Sequence, residues 1–93
     1  MTNNNYHHII RRPGQEEWEL SIISTPHSYG GEQGLFEIGL CHNHDRYDLN
    51  RHVEVIEHHS NFEEVGVTIS WFLTSTVEEI QTRFNSYFER FQE

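Results

Sequence analysis

The chain has no lysine and no alanine, a single cysteine and two prolines, and each scarcity narrows what it can be. One thiol excludes an intrachain disulfide, so stability has to come from packing. Without alanine, the best helix former, a mainly helical protein is disfavoured. Without lysine, 15 acidic residues face only six arginines, for a net charge of -9 with histidine neutral. Such a surface repels a nucleic-acid backbone, and no direct nucleic-acid partner is expected. The first thirty residues hold no apolar leader and no segment able to span a bilayer, so a cytoplasmic protein with no membrane partner is the expectation. No repeat, linker or low-complexity tract breaks the chain beyond Asn3-Asn4-Asn5, at a start expected to fray over 1–5. One domain over 1–93 follows.

What is present leans towards strands. Thirteen Ile and Val stand against five Leu, and there are 12 aromatic residues, side chains that pack well on a pleated surface. Around the stretch Leu35 to Asp45 the rest can be paired. Tyr6–Arg12 is β-like, and Arg12-Pro13-Gly14-Gln15 reads as a turn in which proline presets the first central φ and glycine supplies the positive second one. Glu17–Ser24 alternates Trp18, Leu20 and Ile22 with polar residues, the mark of a sheet with one buried face. Residues 25–34, with Pro26 and three glycines, read as a loop of some freedom. Phe36, Ile38 and Leu40 form the buried side of a central strand, a polar connection through Asn43 to Asn50 follows, and Arg51–His58 is the next strand. Ser60 to Glu63 reads as a turn. Val65–Leu73, apolar on alternate positions, reads as a fifth strand.

From Thr76 the period changes. Ser75 with Glu78, or Thr76 with Glu79, offers a capping box, and Val77, Ile80, Phe84, Tyr87, Phe88 and Phe91 recur at helical spacing to about residue 91. The expected fold is α+β: an antiparallel meander of four to five strands with one C-terminal amphipathic helix, 76–91, packed on one face.

Matching apolar rows fixes a trial register. Trp18, Leu20 and Ile22 lie opposite His42, Leu40 and Ile38, those opposite Arg51, Val53 and Val55, with Ile9 beside Trp18 and with Trp71, Ile69 and Val67 completing the inward rows. On the other face this aligns His8, Glu19, Cys41, His52 and Ser70. Strands lie about 4.8 Å apart, so His8, Glu19, Cys41 and His52, with His44 as a substitute, form a candidate metal set of the types that take zinc or another transition metal. The spacing matches no zinc signature, and no other cofactor is expected. Cys41 opposite His52 is also the one thiol and base pair, but a flat sheet face lacks an oxyanion donor and excludes little water, so no catalytic residue is assigned. The glycines at 30, 31 and 34 lack the lysine and the helix of a phosphate loop.

The functional expectation is a non-enzymatic binding, regulatory or assembly module of unknown partner, acting through the outer sheet face or the loop from Pro26 to Gly34 and working as a homodimer that covers Ile10, Ile23, Ile56 and Phe72 on the uncovered face. Two other readings stand beside it. One is a metal-binding protein or minimal metalloenzyme built on Cys41 and His52; the other is an acidic mimic of nucleic acid that occupies a basic partner.

Overall fold

A computed structural model describes residues 6–28, 30–43 and 52–90, and of His52 and residues 87–90 the backbone only. The fraying expected at 1–5, the connection through 44–50, Arg51 and Phe91 all lie outside the described residues. Four strands, β1 (Tyr6–Arg12), β2 (Gln15–Ser24), β3 (Phe36–His42) and β4 (His52–Ser60), form an antiparallel meander in the order β1-β2-β3-β4. Two helices follow, α1 (Phe62–Thr74) and α2 (Val77–Arg90). The α+β class and the meander are as expected, but among the described residues the sheet has four strands and the helices number two.

The correction lies in residues 65–73. Val65, Ile69 and Leu73 satisfy a helical spacing of four as well as an alternating one, and the choice is made at the N-terminus. Asn61 Oδ1 accepts from Glu64 N–H at 2.9 Å, and Glu64 Oε1 accepts from Asn61 N–H at 3.0 Å. This capping box satisfies two amide groups that a helix start leaves orphaned. Read as a turn, the same residues conceal that signal. Val65, Thr68 and Phe72 are buried on one side of α1, and Ile69 and Trp71 pack partly against the core. The second helix starts with the box expected from Thr76 and Glu79: Thr76 N–H donates to Glu79 at 2.9 Å, and Glu79 N–H to Thr76 Oγ1 at 3.1 Å.

Between β2 and β3 the register is the expected one, with Trp18, Leu20 and Ile22 opposite His42, Leu40 and Ile38. The outer pairings differ. A shift between Arg11 and Arg12 sets Ile10, not Ile9, beside the apolar row, opposite Leu20. The turn itself forms as expected, with Gly14 at φ 79°. On the far side Leu40 faces Glu54 and Cys41 faces Val53, and irregularities between Phe36 and Gly39 give β4 extra residues there. Such bulges re-aim side chains. Ile56 is thereby buried in the core, and Val53 is exposed. Neither Ile56 nor Phe72 lies on an uncovered face, contrary to the expectation, because β4 bulges and Phe72 is helical.

Both helices cover the Trp18/Leu20/Ile22 side. Phe84 of α2 meets the Trp18 ring edge-on at 5.5 Å. Along α1, Phe62 touches Phe36 at one end of the sheet. At the other end Arg12 donates to the carbonyls of Phe72 and, at 2.8 Å, of Ser75. The last turn of α1 has no basic residue of its own, so the β1–β2 hairpin supplies the cation that its dipole and free carbonyls attract. Arg83 of α2 pairs with Glu57 at 2.7 Å and lies 4.4 Å above the Trp71 ring, linking α2, β4 and α1. No helix among the described residues is long and apolar enough to cross a membrane.

Two predictions test these assignments. Val67, inward if residues 65–73 were extended, is 70% exposed on α1, and Phe72 is fully buried. In urea unfolding, Val67→Glu should change stability by under about 0.5 kcal/mol. Phe72→Ala should cost about 3–5 kcal/mol. The reverse order would restore the fifth strand. At the start of α2, the backbone and hydroxyl hydrogen bonds from Thr76 hold the Glu79 carboxyl below its usual range. A carboxyl depressed in the folded state stabilises above its unfolded pKa, and that contribution is lost as pH falls through the folded value. Glu79→Gln should therefore flatten the pH dependence of the urea midpoint below about pH 5 and leave its acid limit unchanged.

Candidate binding cleft

Glu19 and Cys41 of the candidate metal set share the outer sheet face, and the observed register separates the others from them. Glu19 and Cys41 are paired, as expected, but the row they belong to reads Arg11, Glu19, Cys41, Val53. His8 lies opposite Ile22, His52 is the register partner of His42, and Ser70 belongs to α1. Each displacement has a cause already seen, the shift at the first hairpin, the irregular β3–β4 pairing and the winding of α1. Glu19 is buried, with one carboxylate oxygen 2.8 Å from Arg11 Nε and the other accepting from the Asn43 side-chain amide. Asn43 is itself fixed by its N–H donating to the Glu17 carbonyl at 2.8 Å. A carboxylate held by a guanidinium and an amide is an ion pair with its oxygens engaged. Cys41 is fully buried, with Sγ 4.0 Å from the Gly39 carbonyl. Among the described residues no group of three or more His, Cys, Asp or Glu is placed to hold a metal ion. The His52 side chain and His44 lie outside the described residues.

The loop after β2 is braced rather than free. Ser28 N–H donates to the Thr25 carbonyl at 3.2 Å, Thr25 N–H donates to Ser28 Oγ at 2.8 Å, and a single 3-10 turn, Gly31–Gln33, follows. A Cβ built on Gly31 would stand 1.6 Å from the Thr25 carbonyl oxygen, so only glycine lets the loop close. Leu35 N–H returns to the Gly30 carbonyl at 2.9 Å, and the Leu35 carbonyl accepts from Ser24 Oγ at 3.0 Å. These contacts deliver Phe36 to the end of the sheet.

There the two layers part. A cleft of about 440 Å³ opens between the first turn of α1 and the ends of the strands, lined by Tyr6, Ile22, Ser24, Gly34, Phe36, Phe62 and Val65. Three aromatic rings border it. Tyr6 meets Phe36 edge-on at 5.5 Å, and Phe36 meets Phe62 at 5.2 Å with the rings tilted. Its volume falls in the range of small-molecule sites, which are mostly apolar with few polar groups. Among the described lining residues the polar groups are the Tyr6 phenol and the Ser24 hydroxyl, and none is charged. Such a lining offers no general acid or base matched to neutral pH and no cation for an anionic group. It can hold a neutral apolar molecule. Sequence reasoning missed this place because Phe62 fell in a supposed turn; the Asn61/Glu64 spacing was the signal that would have set Phe62 and Val65 on one helix facing Tyr6 and Phe36.

The burial of Cys41 makes a prediction about the outer face. With an aromatic disulfide reagent at about pH 8, the thiol should react at least a hundredfold more slowly in the native protein than in denaturant. Equal rates would show the thiol to be accessible. Comparison with family models, with curated proteins and with solved structures finds no match, which leaves the cleft and the outer face as the grounds for a functional reading.

Proposed function

We propose that this chain is a binding module without catalysis of its own, and that its ligand is a small neutral molecule with an apolar ring, held in the cleft between α1 and the ends of β1, β2 and β3. The observation that carries the reading is the uncharged, aromatic-edged lining, with Phe62 left 80% exposed at its rim. An exposed phenylalanine beside an open apolar cleft leaves uncovered the kind of surface that a ligand gains most by covering. Among the described lining residues, polar recognition falls to Ser24 and Tyr6. Ser24 Oγ spends its proton on the Leu35 carbonyl, so its lone pairs remain the cleft's fixed acceptors, and the Tyr6 hydroxyl can donate or accept. A ligand with one hydroxyl or amide on an apolar ring system fits that pattern. The net charge of -9 adds a long-range penalty against anions.

A neutral solvatochromic dye tests the proposal. The wild type should bind it saturably with micromolar affinity, and Val65→Trp, which fills the cleft from α1, should weaken binding by at least about tenfold with an unchanged far-ultraviolet spectrum. An anionic dye of similar size should bind more weakly. Saturable uptake unaffected by Val65→Trp would place the ligand elsewhere, and no uptake by the wild type would overturn the reading.

A further inference from the structure

Two histidines near the end of β4 meet in a way that a regular strand does not allow. Successive side chains of a strand point to opposite faces, so neighbouring imidazoles are held apart. Here Nδ1 of His58 and Nδ1 of His59 lie 3.0 Å from each other, and both residues are exposed. The cause is in the backbone. His59 has φ 60°, the one positive value at a residue other than glycine among the described residues. A left-handed conformation is costly for a residue with a Cβ, and it persists where the surroundings hold it. Gly30 is part of that support: a Cβ built there would stand 3.0 Å from both Cα and Cδ2 of His59, so the loop packs on His59 as closely as glycine permits. The exposed N–H···N hydrogen bond that results replaces hydrogen bonds to water and offsets little of the strain.

The rings meet head-on. Their centroids are 5.2 Å apart, which is the 3.0 Å gap between nitrogens plus one ring radius on each side, so the Nδ1 axes point at each other. Opposed nitrogen donors suit an ion that takes two ligands in a line. We propose that His58 and His59 bind a soft monovalent metal ion, copper(I), between their Nδ1 atoms. Imidazole is a ligand that copper accepts. Zinc fits less well, since it takes four ligands and no group of three or more candidate donors is placed for one ion among the described residues. The softer donor, Cys41, is fully buried and does not compete. Without the ion, one ring donates its Nδ1–H to the other. When the ion enters, that ring gives up the Nδ1 proton and takes one at Nε2. Both rings are then neutral Nε2–H tautomers with Nδ1 lone pairs on the metal, and no net proton is released. Metal–nitrogen bonds of about 2 Å need the nitrogens to part from 3.0 Å to about 4 Å, a small rotation for exposed side chains. The net charge of -9 draws cations towards the chain. Neither histidine lines the cleft, so this site stands apart from the ligand reading.

Silver(I), which shares the linear preference and does not change oxidation state in air, is the probe. It is titrated in chloride-free buffer at pH 7.5 into the full chain and into Cys41→Ala, which removes the one thiol, with calorimetry and proton–nitrogen spectra of the histidine rings. Both proteins should bind one ion per chain with micromolar affinity or better, and the shifts should centre on Nδ1 of His58 and His59 and spare the six other histidines. Zinc at the same concentration should bind at least tenfold more weakly. His58→Asn should weaken silver binding at least a hundredfold. His59→Gly, which removes the ring and relieves the positive φ, should do the same with no fall in melting temperature, so that lost binding is not lost folding. Uptake that survives His59→Gly overturns the proposal, as do shifts centred on other histidines, zinc bound as tightly as silver, or an ion held by the wild type and not by folded Cys41→Ala.

Discussion

Whether residues 61–74 wind or extend decides the rest of this structure. Their apolar positions are compatible with both, and the two reciprocal hydrogen bonds between Asn61 and Glu64 favour winding by satisfying amides that a helix start exposes. Once wound, the segment presents Val65, Thr68 and Phe72 to a sheet that would otherwise have α2 alone as cover. The hairpin then closes on it, since Arg12 reaches carbonyls about sixty residues away that only a helix end leaves free. Cap and clamp act at opposite ends of one helix. Between them they orient α1 along the sheet, and the cleft at its first turn is the space that this orientation leaves over Tyr6 and Phe36.

The legible part of the fold was the part written in alternation. Trp18, Leu20 and Ile22 could be paired with His42, Leu40 and Ile38 because a slip of one residue would turn both sets to water. The Pro13-Gly14 turn was equally plain, and so was the Thr76/Glu79 box, each set by local chemistry that distant residues do not override. The pairing of Glu19 with Cys41 followed from the same central register. What failed lay at the edges. β1 and β4 are each paired on one side, and irregularities there shift Ile9, His8, Val53 and His52 away from the rows assigned by simple counting. The four-residue metal row was built across those edges, so its central pair survived and its ends did not. The cleft had no signature of its own, since its rings come from β1, β3 and α1 and meet only when the third of these is wound.

The outer face shows how a buried polar group is accommodated in the sheet. Glu19 is buried beside Cys41, and a buried carboxylate is costly unless its oxygens are paired. Arg11 and Asn43 meet that requirement, one from the neighbouring strand and one from the end of β3. Of the residues that read as metal donors in sequence, Glu19 takes part in an ion pair with Arg11, and Cys41 beside it is enclosed.

The same accounting extends to every arginine whose side chain is described. Arg11 is held by Glu19, Arg12 by Gln15 and the end of α1, and Arg83 by Glu57 and the Trp71 ring. Each of these three cations works within the fold, joining one element to another. Glu16, Glu17, Glu63, Glu64, Glu78 and Glu79 all lie at exposed positions. With 15 acids against six arginines, the field felt by an approaching molecule is set by the acids. A field of that sign opposes a polyanion at a distance and does not act on a neutral molecule, and none of the described residues that line the aromatic cleft is charged.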